Sequence, residues 1–317
     1  MPSVSIVIPV YNAAPWLGAS LDLALCQTLR DVEVICVDDG STDSSSAILS
    51  EYAAKDPRVR VLRQQENLGQ GAARNRGLEA AKGEYIYFMD ADDELASADA
   101  LERLAYEADR ERLDALFFDA TTMADPGIEL SKTAVNPKDY MRTGSYSGVF
   151  GGPELFSRFL KENEYCVSPC LVLFRRGFLD ACGIRFPEAR MFYEDNVFMT
   201  RVMLAAERAS HRPWRLYIRK VHAGSTVTAP PTPRHFEGYR ACYEDVCRML
   251  ARKKWDRRTK LSLLERKMVY LRQMHRLEGS VRPLSERLYG LYICFRCRGL
   301  AYMVKRAFRL LCHNSPS

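Results

Sequence analysis

An α/β fold is what this sequence predicts: a mostly parallel, Rossmann-like sheet flanked by helices, followed by a helical C-terminal extension. Three observations carry the prediction. Short β-branched runs alternate with helix-length segments over the first hundred residues. Acidic or turn-forming residues terminate those runs, where ligands of such sheets bind. Beyond residue 233 the alternation stops, and long, strongly basic helical segments take over.

The first strand is Val4 to Asn12, reading VSIVIPVYN, and a helix over Ala14 to Gln27 follows it. Val32 to Val37 forms the second strand and runs into Asp38-Asp39-Gly40-Ser41-Thr42-Asp43. Ser and Asp in that turn are also good starts for the next helix, Ser44 to Lys55. A third, shorter strand spans Val59 to Leu62. Asn67 to Gly77 is a glycine-bearing loop opening the helix Gly71 to Ala81, and helix N-termini attract anions. It lacks the third glycine of a dinucleotide fingerprint and does not follow the first strand, which excludes that reading.

Tyr85 to Leu95, YIYFMDADDEL, is the most informative stretch. A buried strand that ends in Asp90, Asp92 and Asp93 is costly unless the acids face a cleft and meet a cation. Carboxylate oxygens suit Mg²⁺ or Mn²⁺, ions that typically also hold a substrate's phosphates. Further on, Glu194 and Asp195 stand among large apolar residues ahead of a helix over Val197 to Ala206, a position open to a helix cap or to a catalytic acid.

Taken in order, VSIVIPVYN, EVICVDDGSTDSS, ENLGQGAARNRGLEAAKGEYIYFMDADDEL, FYEDNVF and VHAGST resemble the inverting family-2 glycosyltransferases of the GT-A fold. The resemblance covers about the first 230 residues and implies a donor site for a nucleotide-diphosphate sugar, a UDP-sugar above all. Tyr11 would stack on the base, with Pro9 near it. Asp39, with Asp38 beside it, would accept the uracil N3–H, and Arg74 would point its guanidinium at the nucleotide. Asp92 would ligate the metal directly, while Asp90 would hold the ribose or a metal-bound water and Asp93 would stand behind. Asp195 would be the general base, next to Glu194, and in-line attack would invert the anomeric centre, giving a β-linked product from an α-linked donor. His222 would help to coordinate the metal or contact the pyrophosphate in a flexible closing segment, where Lys220 would balance charge. Lys220 stands where the family commonly has Arg, which removes a bidentate fork. The expected acceptor is a hydroxyl of a cell-envelope glycan or glycolipid. A catalytically silent nucleotide-sugar-binding subunit is the alternative of a different class. A sugar nucleotidyltransferase would need a pyrophosphate loop that Val10 to Leu17 lacks.

Acceptor recognition is expected between Phe117 and Arg190, with Ala124 to Phe150 as a lid or insertion, a helix over Pro153 to Leu160 and a strand over Leu171 to Arg176. The domain reading is a catalytic domain over 1–228, a Pro-rich linker over 229–233 and a basic extension over 234–317. Helices are expected over His235 to Arg252 and Lys260 to Leu277. Residues 234–317 carry 20 Lys and Arg against 7 Asp and Glu, whereas the preceding residues carry 26 against 33. The net charge of +6 therefore hides a basic tail suited to an anionic partner. Leu284 to Cys312 mixes Arg with Leu, Tyr and Phe, so residues 280–317 are expected to meet an anionic membrane surface. No motif or aromatic platform indicates nucleic acid. No run is long and apolar enough to span a bilayer, and the first strand begins at once, leaving no room for a signal peptide. Ten cysteines set mostly among apolar residues suit reduced thiols. Cys294 and Cys297 form a CxxC without a second pair at zinc spacing. The expected location is cytoplasmic, peripheral on the inner face of the cytoplasmic membrane.

Overall fold

The computed structural model describes residues 2–133, 135–187, 190–223, 231–252 and 254–281. β1 (Val4–Val10), β2 (Val32–Asp38), β3 (Val59–Arg63) and β4 (Tyr85–Phe88) are joined by α1 (Ala14–Leu25), α2 (Ser45–Lys55) and α3 (Gln70–Ala80). β1 pairs in parallel with β2 and with β4, and β2 with β3. Every residue of β1, β2 and β4 is buried, as expected of central parallel strands covered on both faces. α3 lies hard against this sheet. A Cβ at Gly77 would fall 2.3 Å from Val7 Cγ1, so only glycine allows the approach.

The second half of the sheet is mixed. β5 (Glu94–Leu95), α4 (Ala100–Arg110), β6 (Ala115–Ala124), α5 (Gly152–Lys161), β7 (Val172–Arg175), α6 (Arg176–Ala181), α7 (Glu194–Ala205) and β8 (Ala209–Val221) complete it. The strand order is β3-β2-β1-β4-β7-β6-β8-β5. β7 runs antiparallel to β4 and β6, whereas β6 and β8 pair in parallel, with a register shift around Asp119.

Two stretches take a form that the sequence does not show. Arg219 and Lys220 lie in β8, a regular strand through Val221. Periodicity hides β8 because it contains Pro213 and four cations. Two of those cations are paired internally: Arg212 with Glu107 and Glu111, and Lys220 with Glu94. Between Ala124 and Phe150 the chain forms two short 3₁₀ turns, Leu130–Lys132 and Pro137–Tyr140. It is anchored by buried Arg142, which donates to Phe118 O at 2.9 Å and to Asp119 Oδ1 at 3.1 Å.

The chain divides into two units, Met1–Ala229 with Asp256–Ser262, and Pro230–Trp255 with Leu263–Ser317. α8 (Pro233–Arg252) and most of α9 (Arg257–Val281) belong to the second. There Tyr239 meets Tyr270, with ring centroids 6.3 Å apart, and Lys267 Nζ sits 5.2 Å from the Tyr243 ring centroid. The helix expected over Leu284 to Cys312, the Cys294–Cys297 pair and most of the proposed membrane-facing stretch lie outside the described residues. Among the described residues no helix is long and apolar enough to cross a membrane.

Candidate active site

The site is assembled at the carboxyl ends of β1, β2 and β4, the edge where a parallel sheet receives ligands. Tyr11 leaves β1 with 47% of its surface exposed, so its ring is available at the rim. Pro9 is buried within the strand and shapes it from below. Both acids after β2 are buried and work on the loops. Asp38 accepts from Ser41 N at 2.9 Å and from Ser46 Oγ. Asp39 accepts from Leu68 N and Gly69 N at 2.8 Å each, and from Gln64 Nε2 at 2.6 Å. Asp39 thereby fixes the turn at Gly69, whose φ of +95° favours glycine, and so fixes the start of α3.

Arg74 departs most from its expected place. It is 3% exposed, and its guanidinium is committed within the protein. Nη2 reaches Asp90 Oδ1 at 2.8 Å and Nη1 reaches Glu194 Oε1 at 3.1 Å. The residue thus joins the acids after β4 to those at the head of α7. Gln70 Nε2 adds a second donor to Asp90 Oδ1, at 2.9 Å.

The other acids of the DADD run take different environments. Asp93 is 5% exposed and accepts from Tyr217 Oη at 2.8 Å and Lys220 N at 2.7 Å. Burial, then the charges of Asp92 and Asp90, push its carboxyl well above the usual range. Asp92 is raised by burial and by Asp90, and is opposed by His222. His222 Nε2 lies 2.9 Å from Asp92 Oδ2, and Nδ1 lies 3.1 Å from Ala223 O. Nδ1 faces the carbonyl, and Nε2 is the nitrogen turned to the carboxylate. Trp16 of α1 stacks on the imidazole, centroids 3.8 Å apart and planes at 27°. Sequence reasoning missed Trp16, because a helical Trp reads as core. Lys220 is turned to Glu94 and so is engaged away from His222's carboxylate.

Among the described residues no three His, Cys, Asp or Glu side chains form a closed metal cage. Asp92 and His222 nevertheless suit a divalent ion that takes the rest of its ligands from phosphate oxygens and water. The Asp92 carboxyl, raised by burial and by the charge of Asp90, is what such an ion would relieve.

Across Arg74 stands the start of α7. Tyr193 precedes it in the left-handed region, φ 66°, an unusual conformation for an aromatic residue. The turn places Glu194 and Asp195 in the first helical turn, where the helix N-terminus favours negative charge. Burial and then the neighbouring Asp195 charge push Glu194 up to about 7, against the pull of Arg74. Burial also raises Asp195, while Arg74 and Asn196 pull it down. Asp195 Oδ1 accepts from Asn196 N at 2.8 Å and Nδ2 at 3.0 Å.

The fold and these acids define a sugar-transferring enzyme of the GT-A type. The chain belongs to glycosyl transferase family 2, whose description matches residues 5–183. It is 32% identical over 251 residues to the "Uncharacterized glycosyltransferase EpsJ" of Bacillus subtilis (strain 168), covering 77% of this chain and 68% of that protein. Its structure is similar to that of S. aureus TarS in complex with UDP-GlcNAc, with a TM-score of 0.69 at 24% identity, covering 88% of this chain and 75% of that one. It is also similar to a mannosyltransferase, PcManGT from Pyrobaculum calidifontis, in complex with GDP-Man and Mn²⁺. There the TM-score is 0.55 at 18% identity, covering 99% of this chain and 81% of that one. The last two likenesses concern the fold.

Proposed function

We propose that the protein is an inverting, metal-dependent glycosyltransferase that moves a hexosyl group from a UDP-sugar to a hydroxyl of a cell-envelope glycan or glycolipid. The observation that carries this reading is the Arg74 bridge, which ties the donor-side acid Asp90 to the Glu194–Asp195 pair within one buried charge network. UDP-GlcNAc in TarS, and GDP-Man with Mn²⁺ in PcManGT, support the donor and metal classes.

Tyr11 would stack on the base, above the turn that Asp38 and Asp39 hold. Asp39 has its carboxylate on three donors, so its contribution to the base is an acceptor fixed in place by the loop. Asp90 would meet the ribose. Asp92 and His222 would hold Mg²⁺ or Mn²⁺, which when bound supplies positive charge to offset the departing diphosphate. Asp195 would take the proton of the acceptor hydroxyl as the new bond forms, and its raised pKa brings it closer to the working pH of a base. Glu194 and Arg74 position it. The catalytic domain is assigned to residues 1–228, and residues 280–317 of the basic extension to an anionic membrane surface on the cytoplasmic side.

Calorimetric titration with UDP, with and without Mn²⁺, tests the donor site. Manganese-dependent binding that disappears in Asp92→Ala is expected. In Asp195→Asn, UDP binding is expected to persist while sugar transfer falls by about two to four orders of magnitude. Full transfer by Asp195→Asn would remove Asp195 from the mechanism. Folded protein that binds no nucleotide would overturn the donor reading.

A further inference from the structure

Arg219 stands apart from the other inward-facing cations of the site. Arg74, Arg142, Arg212 and Lys220 each meet a carboxylate. Arg219 meets none among the described residues. Its guanidinium lies 4.6 Å from the Tyr140 ring centroid, and Nη1 donates to Tyr140 Oη. Stacking on the ring fixes the planar fork without neutralising it. Because Tyr140 Oη accepts from Arg219, its own hydrogen points elsewhere, and the remaining guanidinium N–H groups add further donors. The neighbouring Asp139 is turned to Asn136 Nδ2, 3.0 Å away.

This pair lies within electrostatic reach of the proposed base. The charges of Arg219 and Asp195 both act on Tyr140, and both act on Cys166. Lys220 and His222, the neighbours of Arg219 in the chain, instead turn to Glu94 and Asp92.

We propose that Arg219 and Tyr140 form an acceptor subsite for an oxyanion, a phosphate or a carboxylate borne by the acceptor close to its reacting hydroxyl. The inference rests on the reading of Asp195 as the base and adds the chemical class of the acceptor. An acceptor held in this way brings its hydroxyl to Asp195 through a charge-assisted pair, and a neutral acceptor of the same shape lacks that pair.

The test uses the full chain saturated with UDP and Mg²⁺, so that the donor site is filled. Saturation-transfer NMR then compares sn-glycerol 3-phosphate, glycerate and glycerol as probes. The wild type is expected to give a signal with one or both anions and none with glycerol, and the stronger anion identifies the group. Arg219→Gln is expected to lose at least fivefold of that signal, and Arg219→Lys to keep part of it. Arg215→Gln, an exposed cation on the same strand, should keep all of it. Retention of the signal in Arg219→Gln, or equal loss in Arg215→Gln, overturns the subsite. Weakened UDP binding in a folded Arg219→Gln would also overturn it, by assigning Arg219 to the donor. If wild-type protein fails to bind UDP, the donor reading fails by itself. The same probe comparison on the unliganded protein then still decides the role of Arg219.

Discussion

Replacing Arg74 with methionine keeps much of the buried volume and deletes the charge that Asp90 and Glu194 share. Removing one member of a buried ion pair typically costs about 3–5 kcal/mol. Here the lower end applies, because the Asp90 side chain is 29% exposed and water covers part of its loss. Glu194 is 11% exposed, and it makes the cost depend on pH. In the wild type its carboxyl is raised from 4.5 to about 7. The folded protein therefore holds a proton that the unfolded chain has released, and stability falls as pH rises from 4.5 through 7, then levels off. Without Arg74 the carboxyl titrates higher still, so the decline continues past pH 7. Between pH 7 and 8 the variant should lose up to about 1 kcal/mol more than the wild type does. Chemical denaturation of both proteins at pH 6, 7 and 8 measures this. Stability curves that run parallel above pH 7, or a total loss below about 1 kcal/mol, would refute the buried bridge.

Glu194 holds its proton up to about 7 and burial is what raises Asp195, so Glu194→Gln should leave the acid limb of the transfer rate in place; a limb moved to lower pH would mean that the Glu194 charge acts on Asp195. Trp16→Leu removes a stack worth about 1 kcal/mol. It should raise the Mn²⁺ concentration needed to support UDP binding about fivefold, with metal-free UDP affinity unchanged, as read by calorimetry. Gly77→Ala drives a methyl into Val7 and should cost about 1–3 kcal/mol by thermal unfolding; a neutral result would mean that α3 can lift from the sheet.

The N-terminal half was legible because its elements obey local rules. β1, β2 and β4 are mostly apolar runs, and the acids at the ends of β2 and β4 mark where each strand stops. Apolar patterning likewise located α5 and β7. The DADD run showed which acids gather, but nothing in it separates Asp93, buried under Tyr217, from Asp92, turned to His222. That sorting depends on β8, whose cations and proline break every strand signal, so its pairing with β6 is written in distant carboxylates. The Arg74 bridge is hidden for the same reason: an arginine in a glycine-bearing loop is expected to point at the nucleotide, and its partner Glu194 lies 120 residues away. Trp16 gave no signal, since only the fold brings His222 over its ring.

The hydrogen bond between Asp92 and His222 closes a span of 130 residues, and this bears on how the protein reaches its working state. β1 to β4 are built from neighbours in the chain, whereas the last side of the cleft must wait for β8 to find β6. Loop closure of this length adds only about 0.6 kcal/mol per doubling of the span, so equilibrium stability scarcely registers it. Folding speed does register it, because non-local pairing comes late. On refolding from denaturant, secondary structure should return before catalytic competence. Quenching of Trp16 by the arriving imidazole would time the interval between them.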